Sequence, residues 1–338
     1  MKNQLSLILV LLLFAGLSNQ KVRAQNSEYR IAQNIQLTGD GGWDYLAVDE
    51  IHQIMFVSHS SQVNVIDLKS NKQIAVIPET PGVHGIAIAN DLNRAYISCG
   101  RDASVQVVDL TTFKPLMKVS VTGENPDCIL YDSFSKKVFT FNGRSSNATV
   151  LDANSLEVLA TIPLSGKPEF SQTDGNGNIY VNIEDAGSLA VIDAKSMKVL
   201  HEWPIAPGEE PSGLQLDNKN HRLFSVCGNE VMVVTDAISG NVITSVPIGR
   251  GCDGVAFDPE TKRIYASNGE GKMTVIQQES ADSYKVLENV KTQPGARTIT
   301  IDKTTHHLYL SVAEYEPGEG RRPVKPNTFL RLDIEEVK

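Results

Sequence analysis

The chain has 338 residues, with 40 Asp and Glu against 31 Lys and Arg, a formal net charge of −9. Such acidity argues against nucleic acid and anionic membrane surfaces as partners, because both attract cations. No C-x-x-C, C-x-x-C-H, Walker A, H-E-x-x-H or G-x-S-x-G pattern occurs, so covalent haem, P-loop, zincin and serine-hydrolase readings have no motif behind them.

Residues 1–24 read as a secretory signal peptide. Lys2 gives a positive start, Leu5 to Leu17 is an apolar run too short for a membrane span, and Val22-Arg23-Ala24 suits cleavage near Gln25. No cysteine follows the apolar run to carry a lipid anchor. Losing Lys2, Lys21 and Arg23 would lower the net charge to −12. The expected protein is periplasmic or secreted, a monomer without a membrane anchor, comprising one domain over residues 25–338.

A repeat organises that domain. An aromatic residue closes a short apolar run at Phe56, Tyr96, Phe139, Tyr180, Phe224, Tyr265 and Tyr309, at intervals of 40, 43, 41, 44, 41 and 44 residues. A second marker follows in register, an apolar alternation ending at Asp67, Asp109, Asp152, Asp193 and Asp236, at Gln277 in repeat six and at Asp333 in repeat seven. Val, Ile, Tyr and Phe fill the runs, and Gly, Asn, Asp and Pro fill the joins, which is strand and turn chemistry. Each unit reads as four strands, and seven such units predict an all-β, seven-bladed β-propeller. Repeat seven stops after its third strand, and "YRIAQNIQL" (29–37) precedes repeat one. This N-terminal strand is expected to complete the last blade.

The second-strand segments "FVSH", "YISC", "YVNI" and "YASN", with the "VxVID"-type runs after them, resemble the YVTN-type propeller repeat family, and within it the exported YncE-like proteins. The resemblance covers nearly all of the mature chain. It implies the propeller fold, which in that family and its relatives serves binding modules, surface proteins, a DNA binder, and enzymes built around haem d1 or quinone cofactors.

In a propeller the first strand of each blade lines the axis. The residue just before it faces the mouth of the channel, which selects Asp44, His84, Asp127, Glu169, Ser212, Asp253 and Arg297 as ligand-binding candidates. The loops between second and third strands open on the same face, with His59, Arg101, Asp102, Arg144, Glu184, Asp185, Glu230, Glu270 and Glu314. Converging carboxylates favour a bound cation or a shared proton. Oxygen ligands alone suit Ca²⁺ or Mg²⁺, and His84 or His59 beside Asp127, Glu169 and Asp253 suits Zn²⁺ or another transition metal.

The recurrent aspartates, one per blade, are expected to cap turns. His52, His221, His306 and His307 are expected as solvated turn residues on the opposite face, and His201 on an outer strand. Cys99 with Cys128, and Cys227 with Cys252, are expected close in space as candidate interblade disulfides. The one-residue offset between the pairs leaves open two buried free thiols in at least one of them. Repeat seven carries about a dozen extra residues within "AEYEPGEGRRPVKPN"; Arg321, Arg322 and Lys325 make this loop (315–326) locally basic, a candidate lid or partner-docking loop.

The function expected from these residues is an exported binding or scaffold protein that recognises a small ligand, a metal or a protein partner at the axial face. The alternative is a metal- or cofactor-dependent enzyme, a hydrolase or lactonase or an oxidoreductase, on the same face.

Overall fold

Within each repeat the second and third strands are apolar on both faces, so they need a neighbour on each side. In repeat one, Ile54–His59 is buried along its whole length and Gln62–Asp67 nearly so, whereas the fourth strand, Lys72–Ile77, alternates with solvent. The computed structural model describes residues 28–39, 41–318 and 323–337. The proposed signal peptide, residues 1–24, lies outside the described residues, as do Arg321 and Arg322.

The described chain forms seven four-stranded antiparallel sheets, and their stacking around one axis gives the seven-bladed propeller. Six blades are built from consecutive strands. The seventh combines Ile299–Asp302, His307–Val312 and Leu330–Glu336 with the N-terminal strand Tyr29–Gln36. Tyr29 pairs with Glu336 and Gln36 with Leu330, so the ring is closed by backbone hydrogen bonds between the two ends of the described chain. Side chains reinforce this clasp across to blade six. Arg263 donates to the Tyr29 hydroxyl at 2.5 Å and to Glu336 at 2.8 Å, and the Tyr29 and Tyr265 hydroxyls lie 3.0 Å apart.

The repeated aromatics are all buried and fill the layers between blades. In the even-numbered blades two to six the aromatic is tyrosine, and its hydroxyl ties it to the next blade. Tyr96 donates to the Ala153 carbonyl at 2.6 Å, Tyr180 to the Ala237 carbonyl at 3.0 Å, and Tyr265 meets Tyr29. The recurrent aspartates behave as turn caps. Asp109 accepts the amides of Thr111 and Thr112, Asp152 those of Asn154 and Ser155, and Asp236 those of Ile238 and Ser239. Four residues after each capping aspartate the chain turns left-handed, at Asn71, Phe113, Leu156, Met197 and Gly240.

The disulfide expectation is corrected. All four cysteines are free and buried. Cys99 belongs to the layer between blades one and two, and Cys128 to that between three and four, where its sulfur lies 3.2 Å from the Ser171 hydroxyl. Cys227 and Cys252 lie on opposite faces of blade five, in the layers shared with blades four and six. The sheets stand between the sulfurs of each pair. Burial pushes the thiols up, to about 11 for Cys99 and about 12 for Cys128 and Cys227.

The solvated-turn reading is revised for His306 and His307, which are half-buried, while His52 is an exposed turn residue that also meets a buried carboxylate. The Nδ1 atoms of His52, His306 and His307 lie 2.7, 2.7 and 2.8 Å from the buried carboxylates of Asp49, Asp258 and Asp333. His201 is exposed on its outer strand and stacks on Trp203.

Two outcomes test these contacts. Removing the Tyr96 hydroxyl as Tyr96→Phe takes one of two donors from the Ala153 carbonyl, leaving it to Arg94 at 2.9 Å, and should cost about 0.5–1.5 kcal/mol in urea unfolding with an unchanged m-value. A thiol pushed to about 11 is thiolate to roughly one part in a thousand at pH 8. Alkylation followed by peptide mapping should therefore find no labelled cysteine in the native protein and four after denaturation.

Candidate functional site: an acidic axial cavity

In blades one to six the seven-fold position is the second residue of the innermost strand, one residue inside it rather than just before it: Asp44 in Trp43–Asp49, His84 in Val83–Ala89, Asp127 in Pro126–Asp132, Glu169 in Pro168–Thr173, Ser212 in Pro211–Asp217 and Asp253 in Cys252–Asp258. Strand pairing is interrupted directly at this position in all six. A bulge re-aims a side chain out of the sheet plane, and here it turns each one toward the axis. Arg297 stands two residues before the shorter inner strand of blade seven.

All seven residues line one cavity of about 520 Å³. Tyr45, Lys167, Glu184 and Glu210 line it as well. Tyr45 follows Asp44 and meets Phe170 across the axis, edge to face at 5.1 Å, forming a floor. The corresponding position is glycine in blades two, five and six, where the backbones approach closely; a Cβ on Gly213 would stand 2.8 Å from the Asp253 carbonyl. A separate cavity of about 190 Å³, lined by Gln172, Gln215 and Thr300, lies further along the inner strands.

The charges resolve into three groups. In the first, His84 Nδ1 lies 2.6 Å from Asp44 Oδ2 and 3.6 Å from Asp127 Oδ1. In the second, Lys167 binds Glu169 at 2.6 Å and also Glu184. In the third, Asp253 accepts from Arg297 and from the Ser212 hydroxyl, both at 2.6 Å. Burial opposes the charge on His84, but its bond to Asp44 and the nearby Asp127 outweigh that and hold the imidazolium to about 9. Burial raises Asp127, with Asp44 and Asp253 adding to it against the pull of His84. Burial and Asp127 raise Glu169 despite Lys167. Burial raises Asp253 too, against the opposing pull of Arg297. Six carboxylates therefore face three cationic side chains in a partly dehydrated space, and the surplus is negative.

Among the groups of three or more that could hold a metal, the described residues contain one, Asp44, His84 and Asp127. Glu169 and Asp253, expected as metal ligands, are instead turned to Lys167 and Arg297. His59 is not in the cavity. It is buried at the end of its strand, stacked on Phe329 at 3.9 Å, with Nδ1 3.2 Å from the Thr38 carbonyl. Of the rim-loop residues singled out from the sequence, Glu184 lines the cavity. Asp102, Glu270 and Glu314 pair with Lys118, Lys272 and Lys325. The base of the blade-seven insertion does reach this face: Tyr315 bridges to Val324 and packs on Trp43, the neighbour of Asp44. Lys167 and Glu210 were missed because they lie in the interblade connections, where the repeat pattern is weakest. Tyr45 was missed because nothing but its place after Asp44 marks it.

A second cavity, about 420 Å³, lies on the opposite face between blades six and seven, lined by Tyr29, His306, His307 and Glu335. Its polar groups answer to one another: Tyr29 to Tyr265, both histidines to buried aspartates, and Glu335 to Arg30.

Fold and cavity together define a seven-bladed β-propeller with a floored, acidic axial cavity. No known family profile matches the chain. It is similar to YncE: over 199 residues it is 24% identical to the uncharacterized protein YncE of Salmonella typhimurium, and equally to that of Salmonella typhi. The match covers 57% of this chain and 55% of each relative, so it spans about half the length of the curated proteins it resembles. Solved structures agree on the fold. A chain of Kuenenia stuttgartiensis hydrazine synthase superposes with a TM-score of 0.70 at 17% identity, covering 81% of this chain and 93% of that one. The RRP9 WD40 repeats give 0.74 at 11%, covering 91% and 98%.

The cavity makes stability depend on pH with a definite sign. His84 is raised above its unfolded value, so its contribution is complete below about pH 6.5 and is lost as pH rises through about 9. Asp127 and Glu169, also raised, destabilise the fold once charged. The melting temperature should fall between pH 7 and pH 10, and Asp127→Asn should flatten that fall; an equal slope in wild type and variant would contradict the assignment.

Proposed function

We propose that this protein is an exported binding protein that takes a small, net-cationic polar ligand in its axial cavity. The propeller is commonly a scaffold or binding architecture, and the cavity volume falls in the range of small-molecule sites. The observation that carries the reading is the surplus of carboxylates in one recess, all of them at least partly buried except the exposed Glu210. Asp44, Asp127, Glu169, Glu184, Glu210 and Asp253 line one space with only His84, Lys167 and Arg297 to balance them. A solvated surface would tolerate such a surplus at little cost; a recess floored by Tyr45 and Phe170 does not, and a cationic ligand relieves it. The apolar leader of the sequence supports export. No helix among the described residues is long and apolar enough to cross a membrane.

The test is a thermal-shift screen of amines, amino sugars, basic amino acids and metal salts, followed by calorimetric titration of any hit. Asp127→Asn and Asp253→Asn should each weaken a genuine cavity ligand by about 10- to 100-fold, the loss expected for a charge-assisted hydrogen bond. A Kd unchanged in both variants would move the ligand elsewhere and end this reading.

A further inference from the structure

We propose that Asp44, His84 and Asp127 form a binding site for one divalent first-row transition-metal ion at the mouth of the channel. This rests on the axial-cavity reading and names its cationic ligand.

The three residues come from consecutive blades, and one ligand atom from each lies within 4.8 Å of the other two. The imidazole orientation matters most. His84 Nδ1 faces both carboxylates, at 2.6 and 3.6 Å. The Asn125 side chain lies on the other side of the same ring, near Nε2, where its Oδ1 can accept from Nε2–H when Nδ1 is used. Gly100 makes room for this contact: a Cβ there would stand 2.7 Å from both His84 Nε2 and Asn125 Oδ1. An imidazole whose far N–H is held by an outer partner presents its other nitrogen as a lone pair, the arrangement seen around metal-bound histidines. One imidazole nitrogen and two carboxylate oxygens suit Zn²⁺, Mn²⁺, Co²⁺ or Fe²⁺ better than Ca²⁺ or Mg²⁺, which take oxygen alone.

The backbone under the ligands is fixed. Ser98 Oγ donates to the Asp127 carbonyl at 2.6 Å and accepts from the Gly85 amide at 2.8 Å, while Thr298 Oγ1 donates to the Asp44 carbonyl at 2.8 Å. The cavity's other cations are held elsewhere, Lys167 by Glu169 and Glu184, and Arg297 by Asp253. An independent observation points to a missing ligand. Tyr45 is only 8% exposed and lines the same cavity, yet its hydroxyl has no hydrogen-bond partner among the described residues. The hydroxyl opens on the cavity, where a ligand or an ion's water can meet it.

Without metal, His84 Nδ1 stands between the two carboxylates, at 2.6 and 3.6 Å. An ion entering the cluster takes the place of the His84 Nδ1–Asp44 contact.

The experiment is calorimetric titration of the full chain, stripped with EDTA, with ZnCl₂, MnCl₂ and CoCl₂ at pH 7 in buffers of different ionisation enthalpy. Expected are one ion per chain and a visible Co²⁺ spectrum that changes in His84→Gln. His84→Gln and Asp127→Asn should each weaken binding at least about 100-fold, and Asn125→Ala about 10- to 100-fold. Glu270→Gln on the rim should leave it unchanged. Melting curves identify any variant that fails to fold, and the wild-type titration decides the matter regardless of the variants. Absence of saturable binding below about 1 mM, or equal affinity in wild type, His84→Gln and Asp127→Asn, overturns the metal site. If an organic cation still binds and loses affinity in Asp253→Asn, the cavity reading stands and only the metal is wrong; if neither binds, both fall.

Discussion

Everything at the axis depends on the pairing of Tyr29–Gln36 with Leu330–Glu336. Seven stacked sheets hold seven side chains at fixed mutual distances only while the ring is closed. An open stack would twist into a solenoid, and the first and seventh inner strands would part. In the closed ring, Thr298 of blade seven donates to the carbonyl of Asp44 in blade one. The clasp at the outer rim and the cavity at the centre are therefore linked through blade seven, and the Arg263–Tyr29–Glu336 cluster locks the clasp to blade six.

That closed frame is what permits an unfavourable centre. Gathering six carboxylates into a recess raises several of them and adds nothing to the packing of the blades. The protein limits the strain by dividing five of them into three local groups, each with its own cation, and leaving Glu210 exposed. The Tyr45–Phe170 contact places apolar rings against the charged recess, which strengthens the interactions beside it. Interiors that serve stability alone do not collect like charges, and this is the physical ground of the binding function proposed above.

Much of this was legible from residue order, and the failures are informative. The turn-capping role of Asp109 and Asp152 could be read because it involves amides two and three residues away. The cysteines could not, because a disulfide requires two side chains in the same interblade layer, and the choice of layer depends on strand pleat and bulge rather than on spacing. His59 shows the same limit. The repeat places it beside the axial loops, but its ring turns away from the axis to stack on Phe329, which lies 270 positions further along the chain. His306 and His307 look like ordinary turn residues until the buried aspartates beneath them come into view.

From residue order alone come the number of blades, the strand that closes the ring and the seven positions that converge on the axis. These follow from periodicity, since every repeat obeys the same local rules of alternation, turn and cap. Folding in three dimensions adds which charges meet. His84 finds Asp44 across 40 residues, Ser212 finds Asp253 across 41, and Arg297 finds Asp253 across 44. Each separation is about one repeat, so a pairing list could be guessed, but not its outcome. Which carboxylate takes which cation, and which imidazole nitrogen is left for a ligand, depends on distances of a few tenths of an ångström set by bulges and by how closely neighbouring backbones approach at glycine.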